Sequence, residues 1–163
     1  MKPTALIIDD EELARENLAM LIADFCPEIE VIGQAGSIIE ARKKIDDLQP
    51  KIIFLDIRMP SGSEGFDLLD SIPEKNFHVI FVTAFKDYAI KAFNANAIHY
   101  VLKPVDIEEL MAAVKKAVET VQLTEKNPEV YTDYLTTLKN LSQTWAYNKQ
   151  PNKITIRHAK GIK

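Results

Sequence analysis

A chain of 163 residues with 47% hydrophobic and 27% charged residues has enough length and apolar content for one domain core plus a remainder, which excludes wholesale disorder. Its single cysteine, Cys26, excludes an intrachain disulfide framework and a Cys-rich zinc site. No run approaches about 18 apolar residues, so no membrane insertion is expected, and the absence of a signal-peptide pattern places the chain in the cytoplasm. The formal net charge of −4 is split into −8 up to Leu123 and +4 from Thr124 onward. The acidic body therefore argues against wide nucleic-acid binding by that part, and the basic tail reads as solvated surface or as a lead-in to something that meets phosphate.

Thr4–Ile8 is a continuous apolar run, as expected of a strand buried on both faces. Leu13–Phe25 places Ala14, Leu18, Leu21, Ile22 and Phe25 on one helical face, with Pro27 just beyond its end. Glu30–Ala35 reads as a second strand. Ser37 and Glu40 form a capping-box pattern that opens a helix to about Leu48, and Ile52–Leu55 is the third strand. A loop with Met59-Pro60-Ser61-Gly62 leads to a short helix over Gly65–Ile72. His78–Val82 is the fourth strand, Asp87–Asn94 a short helix and Ala97–Leu102 the fifth strand. Asp106 and Glu109 cap a longer helix carrying Leu110, Val114, Ala117 and Val121. Strands alternating with helices predict a doubly wound α/β fold with a parallel sheet, whose ligands sit beyond the carboxyl ends of the strands.

Those ends carry Asp9-Asp10-Glu11-Glu12 on the first strand, Asp56 on the third, Thr83-Ala84 on the fourth and Lys103-Pro104 on the fifth. Asp9 and Asp10 as mere helix caps would account for neither Asp56 after a wholly apolar strand nor the lysine at the parallel position. Clustered carboxylates repel unless a cation holds them, and oxygen ligands suit a hard ion such as Mg²⁺. A carboxylate beside that ion can act as nucleophile towards a phosphoryl group, with Lys103 balancing oxygen charge and Thr83 donating a hydrogen bond. Neither GxGxxG nor GxxxxGK[ST] occurs, and His78, His99 and His158 share no metal-ligand spacing. Cys26, between Phe25 and Pro27, reads as a buried, inert thiol.

Taken together, Asp9-Asp10, Asp56 followed by Met59-Pro60, Thr83-Ala84 and Lys103-Pro104 resemble the receiver domain of bacterial two-component response regulators over about residues 3–123. The resemblance implies a flavodoxin-like receiver fold of strand order 2-1-3-4-5 and a sensor histidine kinase as partner. It implies Asp56 as phosphoacceptor, and a Mg²⁺ site built from Asp10, Asp9, Asp56 and the backbone carbonyl of Arg58. It further implies phosphoryl contacts from Thr83 and Lys103, a switch residue at Tyr100 and a cis peptide bond at Lys103-Pro104. One departure is an extra residue between Asp56 and Gly65, which bears on partner docking and phosphate lifetime more than on the acceptor.

A narrower resemblance runs from Thr83-Ala84-Phe85-Lys86-Asp87-Tyr88 through His99-Tyr100-Val101-Leu102-Lys103-Pro104, and is to receivers of the LytTR class. It implies a receiver over 1–123, a linker over 124–152 with a helix at about 128–147, and the beginning of a mostly β DNA-binding domain at 153–163. Lys153-Ile154-Thr155-Ile156-Arg157 would be that domain's first strand, the remainder lying beyond Lys163. DNA would be read only through that missing part. Two other functions stay open: a stand-alone receiver acting by protein contacts, and a Mg²⁺-dependent phosphatase of the haloacid-dehalogenase type. The latter expects a D-x-D at the first strand where this chain has adjacent Asp9-Asp10.

Two conformational expectations follow. Phosphorylation should draw Thr83 inward and let Tyr100 rotate from an exposed to a buried position. It should also promote a homodimer. Between Pro128 and Trp145, residues Tyr131, Tyr134, Leu135, Leu138, Leu141 and Trp145 fall on one helical face, expected to lie outside the receiver core. That stripe would either pair with the same helix of a second chain or pack back on its own receiver.

Overall fold

The computed structural model describes residues 2–57, 65–72, 75–84 and 99–148. The elements in chain order are β1 (Thr4–Ile8), α1 (Glu12–Phe25), β2 (Glu30–Ala35), α2 (Ile38–Leu48), β3 (Ile52–Leu55), α3 (Gly65–Asp70), β4 (His78–Thr83), β5 (His99–Leu102), α4 (Ile107–Lys126) and α5 (Pro128–Asn148). All strand pairs are parallel and the sheet order is β2-β1-β3-β4-β5, the doubly wound arrangement expected. The first three strands fall where the sequence places them. β4 runs one residue further, to Thr83, and α3 ends at Asp70 instead of Ile72. The expected helix at 87–94, the first two residues of the fifth strand and the strand at 153–157 lie outside the described residues.

Period-two alternation divides each apolar strand between two cores. Ala5, Ile7, Ile52, Phe54, Ile80, Val82 and Val101 point to α1 and α4, where Leu18, Ile22, Leu110, Val114 and Ala117 meet them. Leu6, Ile8, Ile53, Leu55, Val79, Phe81 and Tyr100 point to the opposite face, under α2 and α3. Fully burying one such side chain stabilises the fold by roughly 1.5–3 kcal/mol, which is why uninterrupted apolar runs hold the sheet's centre. Cys26 is 1% exposed, and burial, then Glu28, pushes its thiol up to about 11. Phe25, expected on the buried face of α1, is 39% exposed.

Both capping patterns form, but their glutamates reach past the cap. Ser37 Oγ accepts from the Glu40 amide at 3.1 Å, while Glu40 Oε1 accepts from the Gly36 amide at 2.8 Å. At α4, Asp106 accepts from the Glu109 amide at 3.0 Å, and Glu109 Oε1 accepts from the Leu102 amide at 3.0 Å. The second bond fastens the start of α4 to the end of β5, one residue before Lys103.

The stripe on α5 does not stand outside the core. Tyr134, Leu138 and Leu141 are buried in one cluster with Phe66, Leu69, Phe77, Val79, Phe81 and Tyr100, and Tyr131 and Leu135 pack at its edge. The reason lies in the sheet. At the start of β4 the Phe77 and Val79 amides are taken by side chains of α5, so this end of the strand is covered by the helix. Tyr134 Oη accepts from the Val79 amide at 2.7 Å and Tyr131 Oη from the Phe77 amide at 2.9 Å. The Tyr131 hydroxyl in turn donates towards the carbonyls of Lys75 and Phe77. A single residue, Asn127, separates α4 from α5, so the chain turns around the His78 end of β4 from one face to the other. The His78 ring lies 5.1 and 4.6 Å from the rings of Tyr131 and Tyr134, and its Nε2 is 3.4 Å from Thr124 Oγ1. The Trp145 side chain lies outside the described residues.

Candidate functional site at the carboxyl edge of the sheet

Parallel register brings the expected residues together. Ile8 pairs with Leu55, so Asp9 and Asp56 leave adjacent strands side by side. Thr83 pairs with Leu102, and the Lys103 amide donates to the Thr83 carbonyl at 2.8 Å, which sets Lys103 beside them. The Lys103-Pro104 peptide is cis, as expected. Lys103 Nζ bridges the two carboxylates, 2.6 Å from Asp9 Oδ2 and 3.0 Å from Asp56 Oδ2. Burial works against the ammonium, but the hydrogen bonds and charges of Asp9 and Asp56 outweigh it and hold Lys103 above the usual lysine value.

Asp9 is committed at every polar position. Its amide donates to the Ala35 carbonyl at 3.1 Å, its carbonyl accepts from Arg15 Nη1 at 2.8 Å, Oδ1 accepts from the Glu11 amide at 3.0 Å, and Oδ2 meets Lys103. Asp10 stands beside it, half-buried. Burial, then the Asp9 charge, pushes its carboxyl above the usual carboxylate range. Asp56 and Thr83 are 8% and 1% exposed. Tyr100 is also buried, at 8%, in the cluster that α5 completes, whereas the sequence expectation starts it exposed. Arg58 lies outside the described residues.

Gly65 explains how α3 approaches this edge. A Cβ there would lie 2.4 Å from the Asp56 carbonyl oxygen and 3.2 Å from Ile57 Cα, both main-chain atoms. The Gly65 amide donates to the Ile57 carbonyl at 2.7 Å. Gly65 and Arg15 carry no motif of their own in the sequence, because both act here on main-chain groups.

Among the described residues, no three His, Cys, Asp or Glu side chains converge to cage a metal ion. The donors present are carboxylate oxygens. Asp9 and Asp56 already share an ammonium, which leaves Asp10 as the carboxylate not held by Lys103. Such a set fits a hard cation that keeps most of its water ligands, the habit of Mg²⁺, and does not fit a dedicated all-protein site.

A two-sided five-stranded sheet of this order, with acid, hydroxyl and ammonium groups converging at its carboxyl edge, defines the receiver architecture. The chain belongs to the response regulator receiver domain family, whose profile matches residues 5–115. Its relatives include an uncharacterized response regulatory protein of Vibrio cholerae, 48% identical over 127 residues, covering 77% of this chain and 52% of that one. The transcriptional regulatory protein BtsR of Salmonella typhimurium is 45% identical over 107 residues, covering 64% and 44%. The chain thus spans about half the length of the curated relatives it matches. Among solved structures, a two component transcriptional regulator AraC from Clostridium phytofermentans aligns at 30% identity with a TM-score of 0.62, covering 76% of this chain and 98% of that one. The response regulatory domain of mrkE from Klebsiella pneumoniae aligns at 27% identity with the same TM-score, covering 74% and 98%. No helix among the described residues is long and apolar enough to cross a membrane.

Proposed function

We propose that this receiver accepts a phosphoryl group on Asp56 from a sensor histidine kinase in the cytoplasm. The observation that carries the reading is Lys103 Nζ held between Asp9 and Asp56, at 2.6 and 3.0 Å, on the sheet edge where Thr83 ends β4. An Asp56 carboxylate oxygen attacks phosphorus, and the bond to the donor atom breaks with its electron pair leaving on the donor. Lys103 stays paired with an anionic oxygen throughout, and Thr83 is placed to donate to a phosphoryl oxygen. Asp10, with Asp9 assisting and the Arg58 carbonyl completing the protein ligands, would hold Mg²⁺. The ion's contribution is to screen the charge that otherwise repels an incoming phosphate.

The product carries roughly −1.5 to −2 charges where one carboxylate stood, and that change is read out through Thr83 and Tyr100. Because Tyr100 shares its buried cluster with Leu138 and Leu141, the element it biases here includes α5. The LytTR-like motifs around Thr83 and Lys103, and relatives named as transcriptional regulatory proteins, support an output made through an attached DNA-binding domain. Homodimerisation on phosphorylation belongs to this reading. The α5 stripe is already covered by its own receiver, so a dimer uses another surface or a released α5.

The test is chemical. With Mg²⁺ and acetyl phosphate, intact mass should rise by one phosphoryl group, and the gain should vanish in Asp56→Asn and fall sharply in Asp10→Ala. A gain persisting in Asp56→Asn would remove the assignment. Sedimentation of the beryllofluoride form tests the dimer.

A further inference from the structure

We infer that Arg15 is a positioning residue for the acidic edge, a clamp that fixes the Asp9–Asp10 peptide and thereby the direction in which Asp10 is presented to a divalent cation. The inference rests on the phosphoacceptor reading and deepens it. Arg15 lies in the first turns of α1, and its guanidinium folds back over the loop that enters that helix. Nη1 donates to the Asp9 carbonyl at 2.8 Å, and Nε donates to Gln34 Oε1 on β2 at 3.3 Å. The Asp9 amide is tied to Ala35 on the same neighbouring strand, so both ends of the Asp9 residue are held against β2.

The space for the guanidinium is provided by Gly36. A Cβ at that position would lie 2.9 Å from Arg15 Nη1 and 3.5 Å from Cζ, so any side chain there displaces the arginine. Glu40 stands at the same place. Its carboxyl is held below the usual range by the Gly36 amide, then by Lys44, with a smaller contribution from Arg15. The arginine is thus seated by a carbonyl, an amide oxygen and an acidic neighbour.

The carbonyl that Arg15 holds belongs to the peptide joining Asp9 to Asp10. Fixing that plane fixes the N–Cα bond of Asp10 and so narrows the directions open to its side chain, the one carboxylate of the cluster that Lys103 does not engage. Outer partners that orient a metal ligand commonly change metal affinity about 10–100-fold when removed. Charge alone predicts the opposite sign. A guanidinium near a cation site repels the cation, so deleting it should tighten binding if only electrostatics mattered. The two effects are therefore separable by direction.

The experiment uses Mn²⁺ as the metal alone, with binding followed by electron paramagnetic resonance on the full chain. The variants are Arg15→Gln, Arg15→Lys and Gly36→Ala. Arg15→Gln should weaken Mn²⁺ about 10-fold, and Gly36→Ala should weaken it in the same direction although it removes no charge. Arg15→Lys should fall between wild type and Arg15→Gln. In the metal-free proteins, hydrogen exchange at the Asp10 and Glu11 amides should speed up in Arg15→Gln and Gly36→Ala. Equal or tighter Mn²⁺ binding by a folded Arg15→Gln, or unchanged exchange at those amides in either variant, would overturn the clamp. Failure of the wild-type chain to bind Mn²⁺ at all would instead overturn the metal reading on which it rests.

Discussion

The Tyr134 hydroxyl accepts a hydrogen bond from the Val79 amide at 2.7 Å, joining the last helix to the fourth strand across 55 residues of chain. Burial, opposed only in part by that amide, raises the Tyr134 phenol above the usual tyrosine value, and burial likewise pushes Tyr131 up to about 12. Both phenols therefore stay protonated across the physiological range. In Tyr134→Phe the Val79 amide loses its partner inside the core, at a cost of about 1–3 kcal/mol. Urea unfolding should register that loss, and Leu138→Glu, which puts a charge where the side chain is 2% exposed, should lose more. In the second variant, limited trypsin digestion should open at Lys126, beside the Asn127 junction.

Gly65→Ala should be costly where Gly36→Ala is mild. The first methyl meets the Asp56 carbonyl and the Ile57 backbone, which cannot swing aside, while the second meets the tip of a flexible arginine. A stability loss of about 1–3 kcal/mol and slower labelling of Asp56 are expected for Gly65→Ala. Chemical denaturation and mass spectrometry check the two parts separately.

The two buried histidines make stability depend on pH. Burial, then His99 and Lys51, lowers His78 to about 4, and burial, then Lys116, lowers His99 to about 4. Both groups fold neutral, so below about pH 6.5 the unfolded chain binds the extra protons. Stability contributed by the neutral rings is complete above that pH and is lost as pH falls towards 4, at roughly 1.4 kcal/mol per unit for each ring at most. Asp10 contributes with the opposite sign, since a raised carboxyl is relieved by protonation. Urea midpoints measured from pH 7.5 to 4.5 should fall, and a His78→Gln/His99→Gln double variant should flatten the slope.

Asp10→Asn should raise stability while removing metal response. The wild-type carboxylate is disfavoured by burial and by Asp9, a penalty present at neutral pH and absent from the amide. In the metal-free state the variant should melt higher than wild type. Added Mg²⁺ should then raise the melting temperature of wild type only. Differential scanning fluorimetry with and without Mg²⁺ distinguishes the cases.

The sheet was legible because its strands are buried on both faces and so read as unbroken apolar runs with hard stops: Thr4–Ile8 and Ile52–Leu55 end where a carboxylate follows. The convergence of Asp9, Asp56, Thr83 and Lys103 was legible for the same reason, since parallel strands end on one edge. The place of α5 was not. Its stripe shows in the sequence, but the surface it covers, the start of β4 around Phe77 and Val79 beside Phe66 and Leu69, is assembled only by the fold, which no local pattern records. Arg15 and Gly65 carry no sequence signal because what each meets at the acidic edge is a main-chain atom, which every residue supplies. Glu109 reads as the second half of a capping box, yet its carboxylate serves the Leu102 amide on another element.

The one-residue junction at Asn127 gives α5 a mechanical character. A helix of 21 residues is about 30 Å long, and this one is pinned near its start by two tyrosines and seated along its middle on the cluster that contains Tyr100. It is a lever whose fulcrum is the buried beginning of β4 and whose short arm rests on a residue two positions from the β5 strand end. A tilt of about 10° about that fulcrum moves the far end by about 4 Å, so an ångström-scale repacking around Tyr100 becomes a displacement large enough to reposition whatever chain continues past Asn148.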